Sequence, residues 1–225
     1  APISPALRPL PLAAFAGQKA CVGKRLRCQL SVVPGGDVPP RFSVAGEVLF
    51  TAEGLSGIAA MQCARHVQPG DRLLLTPLGG LDEPATPVAD ELPERAARFP
   101  TRTLGELGVG LMDASLWRAF LLMSNCEPDN PVSHRDIRWL AERLSRWELP
   151  LAPFGADALG PAQVTAGGAL CPAFSPDTLG CRALSGLYAG GETLNVDGDC
   201  GGFNLMFATL CGLRAGRAIA GKERV

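Results

Sequence analysis

The chain has 225 residues, 47% of them hydrophobic, with 21 basic against 22 acidic side chains and a net charge of −1. That balance carries no electrostatic footprint for nucleic acid, and no apolar run is long enough to span a bilayer. The length allows one large domain or two small ones around a sizeable core. The eight cysteines contain no C-x-x-C pair and read as reduced structural thiols, which points to the cytoplasm and to no metal site.

Residues 1–12 are proline-rich and read as extended. RLRCQLSVV, Arg25 to Val33, alternates polar and apolar residues and predicts a strand. PGGDVPP predicts a turn, and residues 41–51 predict a strand pair ending in GEVLFT. AEGLSGIAAMQCARHV bends at its glycines, then predicts a helix over Ile58–His66, and residues 71–76 predict a further short strand. Short strands with little helix suggest a small barrel or curved sheet.

From about Ala89 to Trp147 the pattern turns helical. Thr103 opens one helix, Asp113 caps a second through Met123, and Ser133 heads a third. In the third, Ile137, Leu140, Ala141 and Leu144 recur at helical spacing. Trp147–Phe154 returns as extended chain, and VTAGG at 164–168 predicts a strand and turn.

The last segment, GLYAGGETLNVDGDCGGFNLMFATLCGLRAGRAIAG, runs from Gly186 to Gly221. Leu187–Ala189 predicts a buried strand, Asp197-Gly198 and Gly201-Gly202 a loop, and Phe203–Leu213 a buried helix. Glycines let a backbone approach a ligand, and free N–H groups at a helix start face it, so the three parts together suit an anion or cofactor. An ordinary strand–turn–helix connection uses the same residues, and the pattern alone leaves both readings open. GRAIAGKE at 216–223 nearly spells a P-loop. It lacks the Ser or Thr that holds magnesium and no strand precedes it, so it is rejected.

This segment resembles the YhiN/BaiN-like bacterial flavoproteins, FAD/NAD(P)-dependent oxidoreductases with a large inserted domain. Their pattern is roughly GLYFAGEVLDVDGxxGGYNLQ. The chain keeps Gly186, Leu187, Tyr188, Gly191, Glu192, Leu194, Val196, Asp197, Gly198, Gly201, Gly202, Asn204 and Leu205; it departs at Asn195, Phe203 and Met206. A second stretch resembles GELLFTHxGLSGPAxLQ, keeping Gly46, Glu47, Leu49, Phe50, Thr51, Gly54, Leu55, Ser56, Gly57, Ala59 and Gln62. There Ala52 replaces a histidine and Ile58 a proline. Histidine suits proton transfer near neutral pH, so any such role of the family residue is closed to this chain in the same form. Gln163–Ala169 and Ser175–Arg182 carry weaker likenesses.

The resemblance implies an α+β chain. A β-barrel-like subdomain (residues 1–88, with a return strand at 147–154) and a helical subdomain (89–146) would make up an inserted domain, 1–159. Residues 160–225 would be a short α/β remnant of a FAD-binding domain. FAD is implied for the full-length parent and is not expected to be retained by this chain alone. The strand, G-x-G-x-x-G, helix and acidic residue that hold a dinucleotide are absent from these 225 residues.

The chain then reads as a C-terminal piece of a flavin-dependent oxidoreductase. Its partners are the missing N-terminal FAD-binding half, a small-molecule substrate and NAD(P)H, with no nucleic acid and no membrane. The implied cofactor contacts are Gly191, Glu192, Asp197, Gly198, Gly201, Gly202, Phe203 and Asn204. Glu192 accepts from a ribityl hydroxyl, Asp197 shapes the loop, and Gly201 to Asn204 present N–H groups to the flavin edge. No catalytic nucleophile or acid–base pair stands out. Two rivals remain: a non-catalytic binding module that has lost flavin, and a flavoprotein acting on RNA.

Overall fold

A computed structural model of the chain describes residues 1–35, 38–79, 86–154 and 162–221. The chain forms two compact units, a central one of Pro9–Phe154 and a terminal one that joins Ala1–Arg8 to Gly155–Val225. The domain boundary expected at residue 159 lies outside the described residues, as does the middle of the PGGDVPP turn.

In chain order the elements are β1 (Ser4–Ala6), β2 (Leu10–Pro11), α1 (Gln18–Cys21), β3 (Arg25–Val33), β4 (Phe42–Phe50), β5 (Gly54–Ser56), α2 (Ile58–Ala64), β6 (Arg72–Gly79) and β7 (Thr86–Pro87). Then come α3 (Leu92–Arg98), α4 (Leu104–Leu107), α5 (Ala114–Met123), α6 (His134–Leu144), β8 (Trp147–Leu149), β9 (Val164–Ala166) and α7 (Phe203–Ile219).

The central unit is built on β3. Its alternation puts Leu26, Cys28, Leu30 and Val32 into the core and leaves Arg25 and Gln29 exposed. Both edges of β3 are paired: Leu30 lies opposite Val44 of β4 and Leu75 of β6. The antiparallel order is β2-β5-β4-β3-β6, with β7 and β8 each pairing β6. Past β2 and β8 the chain meets at one bridge, Leu12 to Leu151, where Ala13 N–H donates to Pro150 O at 2.8 Å and Ala152 N–H to Pro11 O at 3.0 Å. Among the described residues no full strand ladder closes the sheet into a barrel.

The strand pair expected over 41–51 is instead one unbroken strand, β4. Gly46 does not turn the chain. It sits opposite Cys28, and a Cβ there would come within 3.3 Å of the Ala59 Cβ of α2, so the missing side chain lets helix and sheet meet. The reversal comes at Thr51–Gly54, where Thr51 Oγ1 accepts from Gly54 N–H at 3.1 Å. Gly54 then crosses β2 so closely that a Cβ would lie 2.0 Å from Leu10 O.

Helices α4, α5 and α6 start where side-chain oxygens cap them. Thr103 and Glu106 form a reciprocal capping box on α4, Asp113 accepts from Ser115 N–H at 2.8 Å, and Ser133 accepts from Asp136 N–H at 3.2 Å. Trp117 of α5 lies across Gly108, where a Cβ would fall 2.2 Å from the indole Cγ, and its Nε1 donates to Leu104 O at 2.8 Å. Phe120 touches both Trp117 and Trp147 with ring centroids 5.5 Å apart, and Trp147 stacks toward Phe50 at 6.3 Å. This aromatic row ties α5 to β4 and β8.

In the terminal unit β1 pairs β9 antiparallel, Ser4 opposite Ala166, and the Ala1 amino group donates to Gly168 O at 2.6 Å. Its buried apolar cluster is small: Phe174, Leu179, Leu194 and Cys211.

Two outcomes follow from the central core. Trp147 Nε1 is buried with no hydrogen-bond partner among the described residues, whereas Trp117 Nε1 donates to Leu104 O. Trp117→Phe is therefore expected to destabilise the chain more than Trp147→Phe, by about 1–3 kcal/mol for the stranded carbonyl. Urea unfolding followed by far-UV circular dichroism compares the two; equal losses would remove the hydrogen bond from the explanation.

Burial pushes the Cys28 and Cys63 thiols from 9.0 up to about 12, Cys28 also feeling Cys63. Below pH 9 folded and unfolded thiols both keep their protons, and this contribution to stability is whole. Between about pH 9 and 12 only the unfolded thiols ionise, so stability falls as pH rises, by up to about 1.4 kcal/mol per pH unit per thiol. Unfolding free energies measured from pH 7 to 10 should drop less steeply above pH 9 in Cys28→Ala.

Candidate functional site

The segment from Gly186 onward folds back on itself before it becomes helix. Leu187–Ala189, expected as a buried strand, forms none: Tyr188 makes a single bridge to Gly180, and Leu187 is 46% exposed. Their backbone is used up by the preceding turn. Cys181 N–H donates to Leu187 O at 2.8 Å and Ala189 N–H to Leu179 O at 3.1 Å.

The chain next slides under α7. A Cβ on Gly190 would fall 2.6 Å from the Cys211 Cβ, and one on Gly191 would reach the Ala208 Cβ at 3.0 Å. Only glycines allow this approach. An open groove of about 340 Å³ runs along the contact, lined by Tyr188, Glu192, Ala208, Cys211 and Gly212 among others.

Gly191–Thr193 makes one 3₁₀ turn that carries Glu192 toward β9. Glu192 Oε1 accepts from both the backbone N–H and the hydroxyl of Thr165. Beside it, Ala169 N–H donates to Thr193 O and Asn195 N–H to Ala169 O, each at 2.8 Å. The VTAGG and GETLN stretches, some thirty residues apart, are thus one structure. Nothing in sequence order pairs Thr165 with Glu192; only the meeting of the two stretches does.

The loop then leads to the start of α7. Asp197 and Gly198 are half-buried, while Gly201, Gly202 and Phe203 are exposed. Asn204 holds the loop by two points: its Oδ1 accepts from Gly198 N–H at 2.7 Å and its Nδ2 donates to Gly198 O at 3.0 Å. Its side chain therefore has a role of its own, besides the N–H expected from its backbone. Gly202 enters the helix at φ 89°, a left-handed conformation that glycine adopts without strain, and as the N-cap residue it has no side chain to offer the helix. A Cβ on Gly202 would meet nothing within 4 Å. The first N–H groups of any α-helix have no acceptor inside it. In α7 these are the N–H groups of Phe203, Asn204 and Leu205, and Phe203 and Leu205 are exposed there.

The helix predicted from Phe203 is present and longer, but it is not buried: Cys211 is its one buried residue. Ala52, at the position of the family histidine, is exposed, and its carbonyl accepts from Gln18 Nε2 at 3.3 Å. Among the described residues no group of three or more His, Cys, Asp or Glu is placed to hold a metal, and no helix is long and apolar enough to cross a membrane.

The Asn204 clasp makes a direct prediction. Asn204→Ala removes two hydrogen bonds worth about 0.5–1.5 kcal/mol each. Amide exchange at Gly198 should accelerate by roughly tenfold or more, while Leu30 in β3 exchanges as before. An unchanged Gly198 rate would mean that the loop is held by something other than Asn204.

No family model matches the chain. It is similar to a 3-dehydro-bile acid delta(4,6)-reductase of Clostridium scindens, at 31% identity over 224 residues, covering 97% of this chain and 54% of that protein. It is also similar to ribosomal RNA dihydrouridine synthases. That of Escherichia coli is 30% identical over 82% of this chain and 46% of its own length; that of Haemophilus influenzae is 27% identical over 74% and 40%. The chain thus spans about half the length of the curated relatives it matches.

Proposed function

We propose that this chain is the C-terminal part of a flavin-dependent oxidoreductase of the YhiN/BaiN-like kind, with FAD as the cofactor. In this reading the central unit is the substrate-side inserted domain, and the terminal unit supplies one wall of the flavin site. The carrying observation is the start of α7: exposed, entered by the left-handed Gly202, and fixed to its loop through Asn204. The longest run of family-like residues falls on that feature, and so does the similarity to a reductase along nearly the whole chain.

The residues present fit the group. The electron-rich edge of a flavin suits unpaired N–H groups at a helix start, whose partial positive charge favours a nearby anion by about 0.3–2 kcal/mol. Gly202 leaves the approach open. Bound there, a flavin supplies hydride or electron transfer, with NAD(P)H as donor and a small molecule as substrate. The chain's own residues bind and orient. Asn204 and Asp197 set the loop, and Glu192, tied to Thr165 through Oε1, has Oε2 for a ribityl hydroxyl. Ala52 can move no proton, so any proton reaches the substrate by another group. The compartment consistent with reduced thiols is the cytoplasm.

A second reading, action on RNA, is favoured by the names of two relatives. The net charge of −1 counts against it, because a nucleic-acid surface neutralises phosphates with Lys and Arg.

The natural protein, expressed from its complete genomic reading frame, is expected to purify yellow with about one FAD per chain, whereas residues 1–225 alone are expected to be colourless. In the longer protein Gly202→Val should weaken FAD binding by roughly tenfold, about 1.4 kcal/mol. A colourless longer protein that takes up no added FAD would sink the proposal. Salt-dependent binding of ribosomal RNA fragments would move the substrate to the second reading.

A further inference from the structure

The sheet of the central unit keeps most of its outer strands short. β2 and β7 have two residues each, β5 and β8 three. A long unpaired strand edge is a template for a second chain, and a short one is not. β4 is the exception. Phe42–Leu49 pairs β3 on one side, but only Leu49 and Phe50 pair β5 on the other. From Phe42 to Val48 that second edge meets no strand among the described residues. Gly57 closes its far end, where a Cβ would lie 2.8 Å from Glu47 O and 3.3 Å from Leu49 N. Pro39 and Pro40 close its near end, since proline has no N–H to give a ladder. What stays open is the run from Arg41 to Glu47.

Inside that run, Phe42 to Gly46 carry no charge and no proline, the devices that keep an edge single. Ser43 and Ala45 are exposed on the outer face, while Phe42 and Val44 are half-buried on the inner face against the core. Glu47 O and Leu49 N lie toward Gly57, on the open edge. A strand alternates the side to which it presents N–H and C=O, so Ser43 and Ala45 present theirs to the same edge. Among the described residues no backbone hydrogen bond from outside the sheet reaches either residue.

We propose that this edge is the docking surface for β4 of a second copy of the chain, antiparallel about a two-fold axis through Val44. The limits of the open run select that axis. An axis at Ser43 would set Pro40 of the second copy opposite Gly46, and one at Ala45 would set its Phe42 opposite Val48, where Gly57 already stands. About Val44 the whole run from 41 to 47 is used. Residues opposite one another in an antiparallel pair share a face, so Ser43 meets Ala45 of the other copy, small against small. Their N–H and C=O groups, both turned to this edge, bond across it. At each end Arg41 meets Glu47 of the other copy, opposite charges at opposite ends of one strand. Each is already fixed in its own copy, Arg41 by Asp71 at 3.3 Å and Glu47 by Arg25. The two-fold axis makes every contact twice, so one strand supplies both halves of a self-complementary interface. The sheet of one copy continues into the other, and nothing in this depends on the oxidoreductase reading above.

Sedimentation velocity of residues 1–225 through the micromolar range should show a dimer. Ala45→Lys should weaken it by roughly tenfold or more, because a lysine on an edge blocks pairing. Ala45→Thr, which suits a strand, should keep it. Ala45 is exposed, so the lysine variant should melt with the parent chain. Amide exchange of the unaltered chain is a second arm that needs no variant. Ser43 and Ala45 should exchange more slowly as concentration rises, while Leu30, paired on both sides in β3, exchanges as before. Four results would overturn the proposal. They are a monomer at every concentration, a dimer that Ala45→Lys leaves intact, a dimer that Ala45→Thr dissolves equally, and Ser43 and Ala45 rates indifferent to concentration.

Discussion

The terminal unit depends on one contact, the passage of Gly190 and Gly191 beneath α7. With side chains at these two positions the Cys211 and Ala208 Cβ atoms could not come so near, and the helix would have to lift away. The course of the segment hangs from this approach. It sets the direction of α7, it lets Glu192 turn back to Thr165, and it leaves the loop at 197–202 short enough for Asn204 to hold Gly198. The contact is a backbone-to-helix one with little apolar mass behind it. The structure around it is therefore organised by hydrogen bonds more than by a core.

The central unit is organised the opposite way. β3 is paired on both edges, its inward residues are fully enclosed, and the aromatic row from Trp117 to Phe50 ties helices to sheet. The family-like glycines at 46, 54 and 57 belong to this framework. Gly57 brings α2 so near to β4 that a Cβ would lie 2.8 Å from Glu47 O, much as Gly54 clears Leu10 and Gly46 clears Ala59. The similarity at Gly46–Gln62 is thus a similarity of packing, whereas the similarity at Gly186–Leu205 surrounds an open helix start. Conserving chemistry is one reason for a chain to keep glycines; letting backbones touch is another, and the two stretches divide along that line.

The proposed chemistry draws on the terminal unit for the cofactor and on its relatives for the reaction class. The names of those relatives span two substrates, a bile acid derivative and ribosomal RNA. Folds in general host many functions through local sites, and in the proposed reading the terminal unit would hold the cofactor and other residues the substrate. Ala52 fits that division. It lies in the loop between β4 and β5, outside the segment that would hold the cofactor, and replaces a side chain that can titrate by one that cannot.

The sequence by itself determined most of the local structure. β3 spans the residues its alternation marked, and Thr103, Asp113 and Ser133 cap helices where hydroxyl and carboxylate oxygens precede apolar periodicity. These signals lie within a few residues of one another, and short-range sterics and hydrogen bonds decide them. The strand pair expected over 41–51 and the buried strand expected at Leu187–Ala189 failed because their outcome is not local. The first is one strand whose Gly46 is set against Ala59, and the second has its hydrogen bonds spent on residues 179–181. The loop before α7 was legible as a glycine pattern, yet its fastenings, Thr165 on Glu192 and Asn204 on Gly198, were not. Each joins groups whose distance along the chain says nothing of their distance in space. The same holds for α7: composition marked it as buried, and only the tertiary structure decided that its apolar stripe faces outward, because burial depends on the neighbours a helix has and not on the residues it carries.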